Sequence, residues 1–394
     1  MAKTLVITHA EDEAKIPFLR GILTRSLQEA GLSFEDSYRV ASAVRHRLRE
    51  IDEIGSQDLR ALVEEELAPY DKEVLRRYRE GRGPPRSIVV QFPDGQTEPY
   101  SRGRQRLEMA RCGLGPRRAA TVTETIHLDL VQRKVREISL RDLLLVTYEH
   151  LLHDIGEDAA HRFLVWEEFR QGDRPLLLLI GGMAGTGKST VAAALSHRFD
   201  IVRSQSTDML REVMRMMMPK RLLPVLHTSS FLAWEALPGC ERHEEVDDDL
   251  LIEGYLTQAE LLGVAAEAVV HRAVQEHVSI VLEGVHVHPG LLPRLHVGED
   301  AVVVQAMLGV LRPKQLRQRF RGRGKKTPGR RARRYLDHFD RIWRLQSYLL
   351  SEADRRQVPI VANDDLDRAV QELTDLVLAE IGRYVTGRPE AVFG

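Results

Sequence analysis

The string Gly182-Met183-Ala184-Gly185-Thr186-Gly187-Lys188-Ser189 matches G-x-x-x-x-G-K-[ST] at every fixed position, and it limits the fold more than any other stretch. Such a loop functions only between a strand and a helix. Its glycines let backbone N–H groups turn toward phosphate oxygens, and the helix N-terminus adds favourable potential. The flanks agree. Leu176–Ile180 is a short all-apolar run of the kind that forms a buried parallel strand. Residues 190–199, with Val191, Ala194, Leu195 and Phe199, read as the following helix. The expectation is an α/β domain over residues 172–394, a parallel sheet flanked by helices. Gly182 to Thr190 would line the ATP phosphates, with Lys188 on the β- and γ-phosphates and the Ser189 hydroxyl in the shell of Mg2+.

The loop alone does not separate kinases from ATPases and GTPases. The guanine signature Asn-Lys-x-Asp is absent, and no long apolar strand ends in Asp-Glu. A strand expected at Val278–Leu282 ends in Glu283-Gly284. Glu283 is therefore the candidate second carboxylate near Mg2+, the alternative being a strand-end residue that caps a helix. After a strand expected at Ile201–Arg203, Thr207 or Asp208 would cap a helix. Asp208, Arg211 and Arg215 fall on one face of that helix, at the sheet edge where open α/β folds bind ligands. A carboxylate there can orient an acceptor hydroxyl and take its proton, and two arginines can clamp a phosphate or carboxylate. The alternative is an N-cap with solvent-facing arginines. Met214, Met216, Met217 and Met218 read as core filling or a flexible wall. His227, Ser229 and Ser230 lie beside apolar anchors and would suit a small polar substrate, although a packing histidine fits His227 as well. His286 and His288 invite a metal reading, but no cysteine or third clustered ligand accompanies them; the pair reads as contacting the substrate or supporting residues that do, and His286 is assigned to substrate contact.

Residues 312–344 contain fourteen Lys/Arg and two Asp, leaving 43 basic and 56 acidic residues elsewhere, a net charge of −13. Gly322, Gly324 and Gly329 interleave with Arg317, Arg319, Arg321, Arg323, Lys325 and Lys326. This pattern reads as a mobile lid that closes over the triphosphate, with Arg319 and Arg323 reaching the developing charge. The rival readings are a solvated charge run and a nucleic-acid arm. The segment has few aromatics placed for base stacking, so nucleic acid is the weaker of these. Further strands are expected at Val302–Met307 and Val358–Val361, and a closing helix at Leu366–Tyr384.

The N-terminal part repeats. Pro17-Phe18-Leu19-Arg20-Gly21 returns as Pro99-Tyr100-Ser101-Arg102-Gly103, and at the same offset of 82 Gly31-Leu32 returns as Gly113-Leu114. After a two-residue insertion, Ile54, Asp58, Leu59 and Leu67 match Ile138, Asp142, Leu143 and Leu151. Strands are expected at Leu5–Thr8 and Ile88–Phe92, and Leu48, Ile51, Leu59, Leu62, Val63 and Leu67 fall at helical spacing. The organisation read from this is two small, mostly helical modules at 1–82 and 86–168, joined by Gly81-Arg82-Gly83-Pro84-Pro85, before the 172–394 domain. Phe18-Leu19-Arg20-Gly21-Ile22-Leu23, with Ala30-Gly31-Leu32 and Tyr38-Arg39-Val40-Ala41, resembles the ATP-cone, a regulatory nucleotide-binding module. Gln91, Phe92 and Pro93 stand where a cone usually has its basic pair.

Composition sets the class. Apolar residues make 43% and charged residues 29%, ordinary for a globular chain and contrary to wholesale disorder. Cys112 and Cys240 are too few and too far apart for a disulfide framework. No apolar run approaches a membrane span, and the start lacks a secretory core, so a cytoplasmic protein is expected.

The full arrangement resembles the 2-phosphoglycerate kinase family. Phe163-Leu164-Val165-Trp166 before the loop carries the likeness, with Ser206-Thr207-Asp208, Arg211-Glu212-Val213-Met214-Arg215, His227-Thr228-Ser229-Ser230-Phe231 and Glu283-Gly284-Val285-His286. The double module departs from the single one expected of that family. The resemblance implies ATP and Mg2+, a small phosphorylated hydroxy acid as partner, and transfer to the hydroxyl of 2-phosphoglycerate to give 2,3-bisphosphoglycerate. Lys188, Asp208, Arg319 and Arg323 would be catalytic, and Asp208, Arg211, Arg215, His227, Ser229, Ser230 and His286 would contact the acceptor. Other readings stay open: a phosphotransferase for another small hydroxyl compound, or a non-catalytic ATP sensor. A homo-oligomer is open as well.

Overall fold

Leu176–Gly181 is buried at every position, so its strand is covered on both faces and sits inside a sheet. The computed structural model describes residues 4–7, 15–79, 88–239, 246–323 and 330–394. The Gly81–Pro85 linker, Cys240 and Gly324 to Gly329, with Lys325 and Lys326 among them, lie outside the described residues. The chain divides into two compact units, Met1–Tyr100 with Val135–Ser139, and Ser101–Lys134 with Leu140–Gly394. This division runs through the second repeat.

The first repeat is built from β1 (Leu5–Ile7), β2 (Lys15–Pro17), α1 (Arg20–Glu29), α2 (Phe34–Arg47), β3 (Glu53–Gly55), α3 (Ser56–Leu67) and α4 (Lys72–Arg79). The second is built from β4 (Val89–Gln91), β5 (Thr97–Pro99), α5 (Arg102–Arg111), α6 (Pro116–Gln132), β6 (Glu137–Ser139), α7 (Leu140–Asp154) and α8 (Glu157–Gln171). The strand orders are the same, β2-β1-β3 and β5-β4-β6, each with an antiparallel hairpin and a parallel third strand. The repeated Gly-Leu pair has one job in both copies. Gly31 and Gly113 take positive φ (107° and 80°), and the N–H of the following leucine reaches back to Leu27 O and Met109 O. That is a Schellman stop with its buried apolar contact. The third strand of each copy is absent from the periodicity: β3 interrupts the helical spacing drawn from Leu48 to Leu67.

The remaining elements are β7 (Leu176–Gly181), α9 (Lys188–Phe199), β8 (Arg203–Ser206), α10 (Thr207–Met217), α11 (Asp248–Gln275), β9 (Ile280–Gly284), β10 (Val302–Gly309), α12 (Pro313–Arg323), α13 (Arg330–Asp337), α14 (Phe339–Arg355), β11 (Ile360–Ala362), α15 (Leu366–Ile381) and α16 (Pro389–Phe393). Their five strands form one parallel sheet of order β11-β10-β7-β9-β8. Leu176, Leu178 and Ile180 pack with Val191, Leu195 and Phe199 of α9 and Leu373 and Val377 of α15. Leu177 and Leu179 pack with Ala266, Val270 and Ala273 of α11. Period-two alternation thus fills both faces of the central strand. The α/β class with a helix-flanked parallel sheet is as expected.

One expected strand is displaced. β8 begins at Arg203, not at Ile201. Asp200 takes φ 56° after α9, and the Ile201 N–H reaches back to Ser196 O at 2.8 Å. Ile201 is thus the apolar contact of a helix stop, while the edge strand itself is polar. Among the described residues no helix is long and apolar enough to cross a membrane.

Candidate active site at the phosphate-binding loop

The loop leaves the central strand β7 and enters α9, at the carboxyl edge where neighbours diverge to β9 on one side and β10 on the other. Gly187 holds φ 91° and caps α9, and a Cβ there would collide with the Asn363 side chain. Lys188, 8% exposed, donates from Nζ to Met183 O at 3.0 Å. The loop is closed around its own lysine, with Met183 and Thr186 fully buried.

Ser189 donates its hydroxyl to Glu283 Oε1 at 3.0 Å. Glu283 is in β9 itself, paired in register with Ile180 of β7 and Ser206 of β8, and is 8% exposed. A hydroxyl and a buried carboxylate are a hard-oxygen donor pair. That fits Mg2+, which takes one or two protein oxygens and completes its shell with water and phosphate.

On the neighbouring strand end, Ser206 is the N-cap of α10 and accepts from Asp208 N at 3.2 Å. The cap therefore lies one residue before the positions expected for it. Asp208 stands in the first turn with its side chain 63% exposed and Arg211 Nε 4.0 Å away. Arg211 donates to Leu226 O at 3.3 Å and Thr228 O at 2.8 Å, and pairs with Glu212 at 3.3 Å. Its guanidinium ties the 224–228 segment to α10 and is less open than the clamp expected. Arg215 also pairs with Glu212 at 3.3 Å and is 38% exposed. Met216 and Met217 point outward, 82% and 72% exposed, so they do not fill the core.

The expected acceptor contacts divide. His227 donates from Nε2 to Met218 O at 2.9 Å. Ser229 precedes the 3-10 helix Ser230–Ala236, and Ser230, its first residue, is buried. His286 is 3% exposed, and both ring nitrogens face protein partners, Thr207 Oγ1 at 3.2 Å and Gln258 Oε1 at 2.8 Å. It lies behind the site, not at a substrate surface. Burial pushes it down to about 4, with Asp208 opposing and Arg211 and Lys188 adding to the shift. Burial likewise lowers His288 to about 4; its Nδ1 accepts from Gly290 N at 2.9 Å.

The arginine-rich stretch differs from the flap expected. Leu316 and Phe320 of α12 are fully buried, at the place where a Cβ on Gly185 would fall. Arg319 donates to Thr186 O at 3.1 Å and to Asn363 O, and Asn363 Nδ2 donates to Thr186 O at 2.7 Å. These groups brace the carbonyl side of the loop, while phosphates would lie on its N–H side. Arg323 ends α12, and its side chain lies outside the described residues.

Two participants, Asn363 and Gln258, escape the motif reading, and Thr207, expected as a cap, has a different part. Asn363 follows the last strand, where an apolar run gives way to a polar side chain. Thr207 and Gln258 are buried at 1% and 0% exposure. Gln258 shares the core-facing stripe of α11 with Leu251, Tyr255 and Leu262, and a polar residue in that stripe is the signal for it.

No protein-family model matches the chain. The 2-phosphoglycerate kinase of Methanopyrus kandleri is 31% identical over 284 residues, 72% of this chain and 85% of the relative. That of Methanothermobacter thermautotrophicus is 34% identical over 283 residues, 71% and 91% of the two chains. That of Pyrococcus horikoshii is 30% identical over 302 residues, 76% and 96%. Among solved structures, a gluconokinase from Sinorhizobium meliloti 1021 overlays at a TM-score of 0.26 and 16% identity, covering 54% of this chain and 93% of that one, too loosely to carry an argument. The relatives span nearly their whole length on this chain, which belongs to the 2-phosphoglycerate kinase family.

Proposed function

We propose that this protein transfers the γ-phosphoryl group of ATP to the free hydroxyl of 2-phosphoglycerate, giving 2,3-bisphosphoglycerate and ADP. The observation that carries the reading is the Ser189–Glu283 pair beside Lys188, one strand away from an exposed carboxylate at the start of α10. Family membership supplies the acceptor class.

In this reading Lys188 leaves Met183 O and turns to the β- and γ-phosphates, while loop N–H groups hold the remaining oxygens. Ser189 and Glu283 would hold Mg2+, which when bound would offset the charge of the phosphates. Asp208 accepts the proton of the acceptor hydroxyl as the new O–P bond forms and the bond to ADP breaks. Arg215 meets the acceptor's phosphate or carboxylate. Arg211 keeps the 224–228 wall in place, so that His227 and Ser229 border the acceptor. Arg319 acts through the loop it braces, and Arg323 is the lid residue proposed to reach the transferred group. Two repeat modules ahead of the 172–394 domain are proposed as regulatory attachments. A small phosphorylated hydroxy acid is the proposed partner.

The test is a panel of 2-phosphoglycerate, 3-phosphoglycerate and glycerate with Mg2+ and labelled ATP. Labelled 2,3-bisphosphoglycerate from 2-phosphoglycerate alone is the expected result. Turnover only with another acceptor would keep the phosphotransferase and discard this substrate.

A further inference from the structure

We infer that a buried hydrogen-bond relay from Gln258 through His286 to Thr207 positions the carboxylate of Asp208, making these three positioning residues for the transfer step. The inference rests on the reading that Asp208 takes the acceptor proton.

The direction of each bond follows from its partners. Gln258 sits in α11 and donates its amide N–H groups to Val225 O and, at 3.3 Å, to Thr228 O. Its amide oxygen therefore faces His286, which must donate from Nε2. Nδ1 of the neutral ring is then an acceptor, and the Thr207 hydroxyl donates to it at 3.2 Å. The Thr207 oxygen also lies 3.5 Å from the backbone N of His286. Tyr255 lies parallel to the His286 ring, with centroids 6.5 Å apart and planes 8° apart, and holds its tilt.

The relay anchors the N-terminal end of α10. Thr207 is the helix's one buried residue, and the rest is partly or fully exposed. Thr207 immediately precedes Asp208, so the hydroxyl that fixes the first residue also fixes the start of the helix bearing the carboxylate. The backbone is shaped for this contact: Gly284 holds φ 156°, and a Cβ there would overlap Thr207 Oγ1. The same Gln258 grips the 224–228 wall to which Arg211 donates. One buried amide thus sets both the carboxylate and the wall opposite it. A satisfied polar network in a buried setting is rigid, because any displaced member leaves an unpaired group.

The test compares Thr207→Val, Gln258→Met and the double variant in full-length protein, with kcat taken per ATP-binding site counted by calorimetric titration. Each single change is expected to lower kcat by about 10- to 100-fold, the cost of a small misplacement at a reacting group. The KM for ATP is expected to stay within about twofold, because the phosphate loop is untouched. The double variant should be no slower than the slower single one, as expected for links of one chain. Thr207→Ser, which keeps the hydroxyl, should recover most of the lost rate. If Thr207→Val does not fold, Thr207→Ala, which removes the same hydroxyl, decides in its place, because Gln258→Met also frees the 224–228 wall. A kcat per site within about twofold of wild type for the single variants would overturn the relay. Asp208→Asn is measured in parallel. If it is inactive while the relay variants are normal, only the relay falls; if it is fully active, the role of Asp208 falls and the relay with it.

Discussion

Lys188 and Glu283 are each 8% exposed, and Lys188, Ser189 and Glu283 already hold protein partners, whereas the Asp208 side chain is 63% exposed with Arg211 Nε 4.0 Å away. The phosphate side is a closed assembly on the two central strands. The acceptor side is a surface helix with one buried residue, set by contacts behind it. Buried polar groups must be satisfied in the resting protein, so the phosphate side is formed in advance. A carboxylate that must meet a small, highly charged substrate gains from staying hydrated until that substrate arrives. Changes on the two sides should therefore differ in kind.

Lys188→Ala breaks the phosphate side. It is expected to lower kcat by about 10³-fold, on the scale of losing a preorganised donor to developing charge. Single-turnover transfer measures this, and a loss of only a few-fold would mean that the loop does not hold the γ-phosphate. Glu283→Gln keeps the hydrogen bond from Ser189 but removes the charge. The Mg2+ concentration for half-maximal rate should rise about 10- to 100-fold, read from a Mg2+ titration.

Acceptor-side changes are smaller and separable. Arg215→Ala should raise the KM for the acceptor about tenfold with an unchanged melting temperature, because its guanidinium pairs with Glu212 of the same helix and ties no other described element. Arg211→Ala should also lower the melting temperature, since it removes the donor to the Leu226 carbonyl and the shorter of two donors to the Thr228 carbonyl, a loss of about 1–3 kcal/mol. Equal effects of the two would erase the distinction between clamp and strut.

The smallest effect is on stability against pH. His286 and His288 are held down to about 4 from 6.5 by burial. A depressed histidine refuses in the folded state the proton that the unfolded chain takes up. Its contribution is complete above pH 6.5 and is lost as pH falls toward 4. Melting temperature should drop across that window, and His286→Gln should flatten the slope; an unchanged slope would place the acid sensitivity elsewhere.

How legible these sides were follows from their chemistry. The loop is a contiguous string, and its glycines, lysine and serine have one physical reading at that spacing. Asp208, Arg211 and Arg215 were visible as one helical face, but spacing does not say where a long side chain ends. Arg211 ends on carbonyls of a segment 15 to 17 residues away, and Arg319 on the loop backbone more than 130 residues away. The relay joins three separate elements: Thr207 and His286 stand in motifs that suggest a cap and a substrate contact, and Gln258 is marked as a polar residue in an apolar stripe, but nothing in the sequence links the three. The repeat was legible through Gly31-Leu32 and Gly113-Leu114, because a helix stop needs a positive-φ residue and an apolar follower. The three-residue strands β3 and β6 were not, being too short for any period to register. Ile201 misled for a related reason: an isolated apolar residue after a helix serves a cap as well as a strand.

The most direct measurement is on Asp208→Asn: ATP affinity by calorimetry alongside single-turnover transfer to 2-phosphoglycerate. The account predicts that ATP binds as in the unaltered protein while transfer falls by about 10²- to 10⁴-fold, the range of a positioned proton acceptor. Transfer at the unaltered rate, or loss of ATP binding together with transfer, would contradict the separation of a preformed phosphate side from an acceptor side that supplies the base.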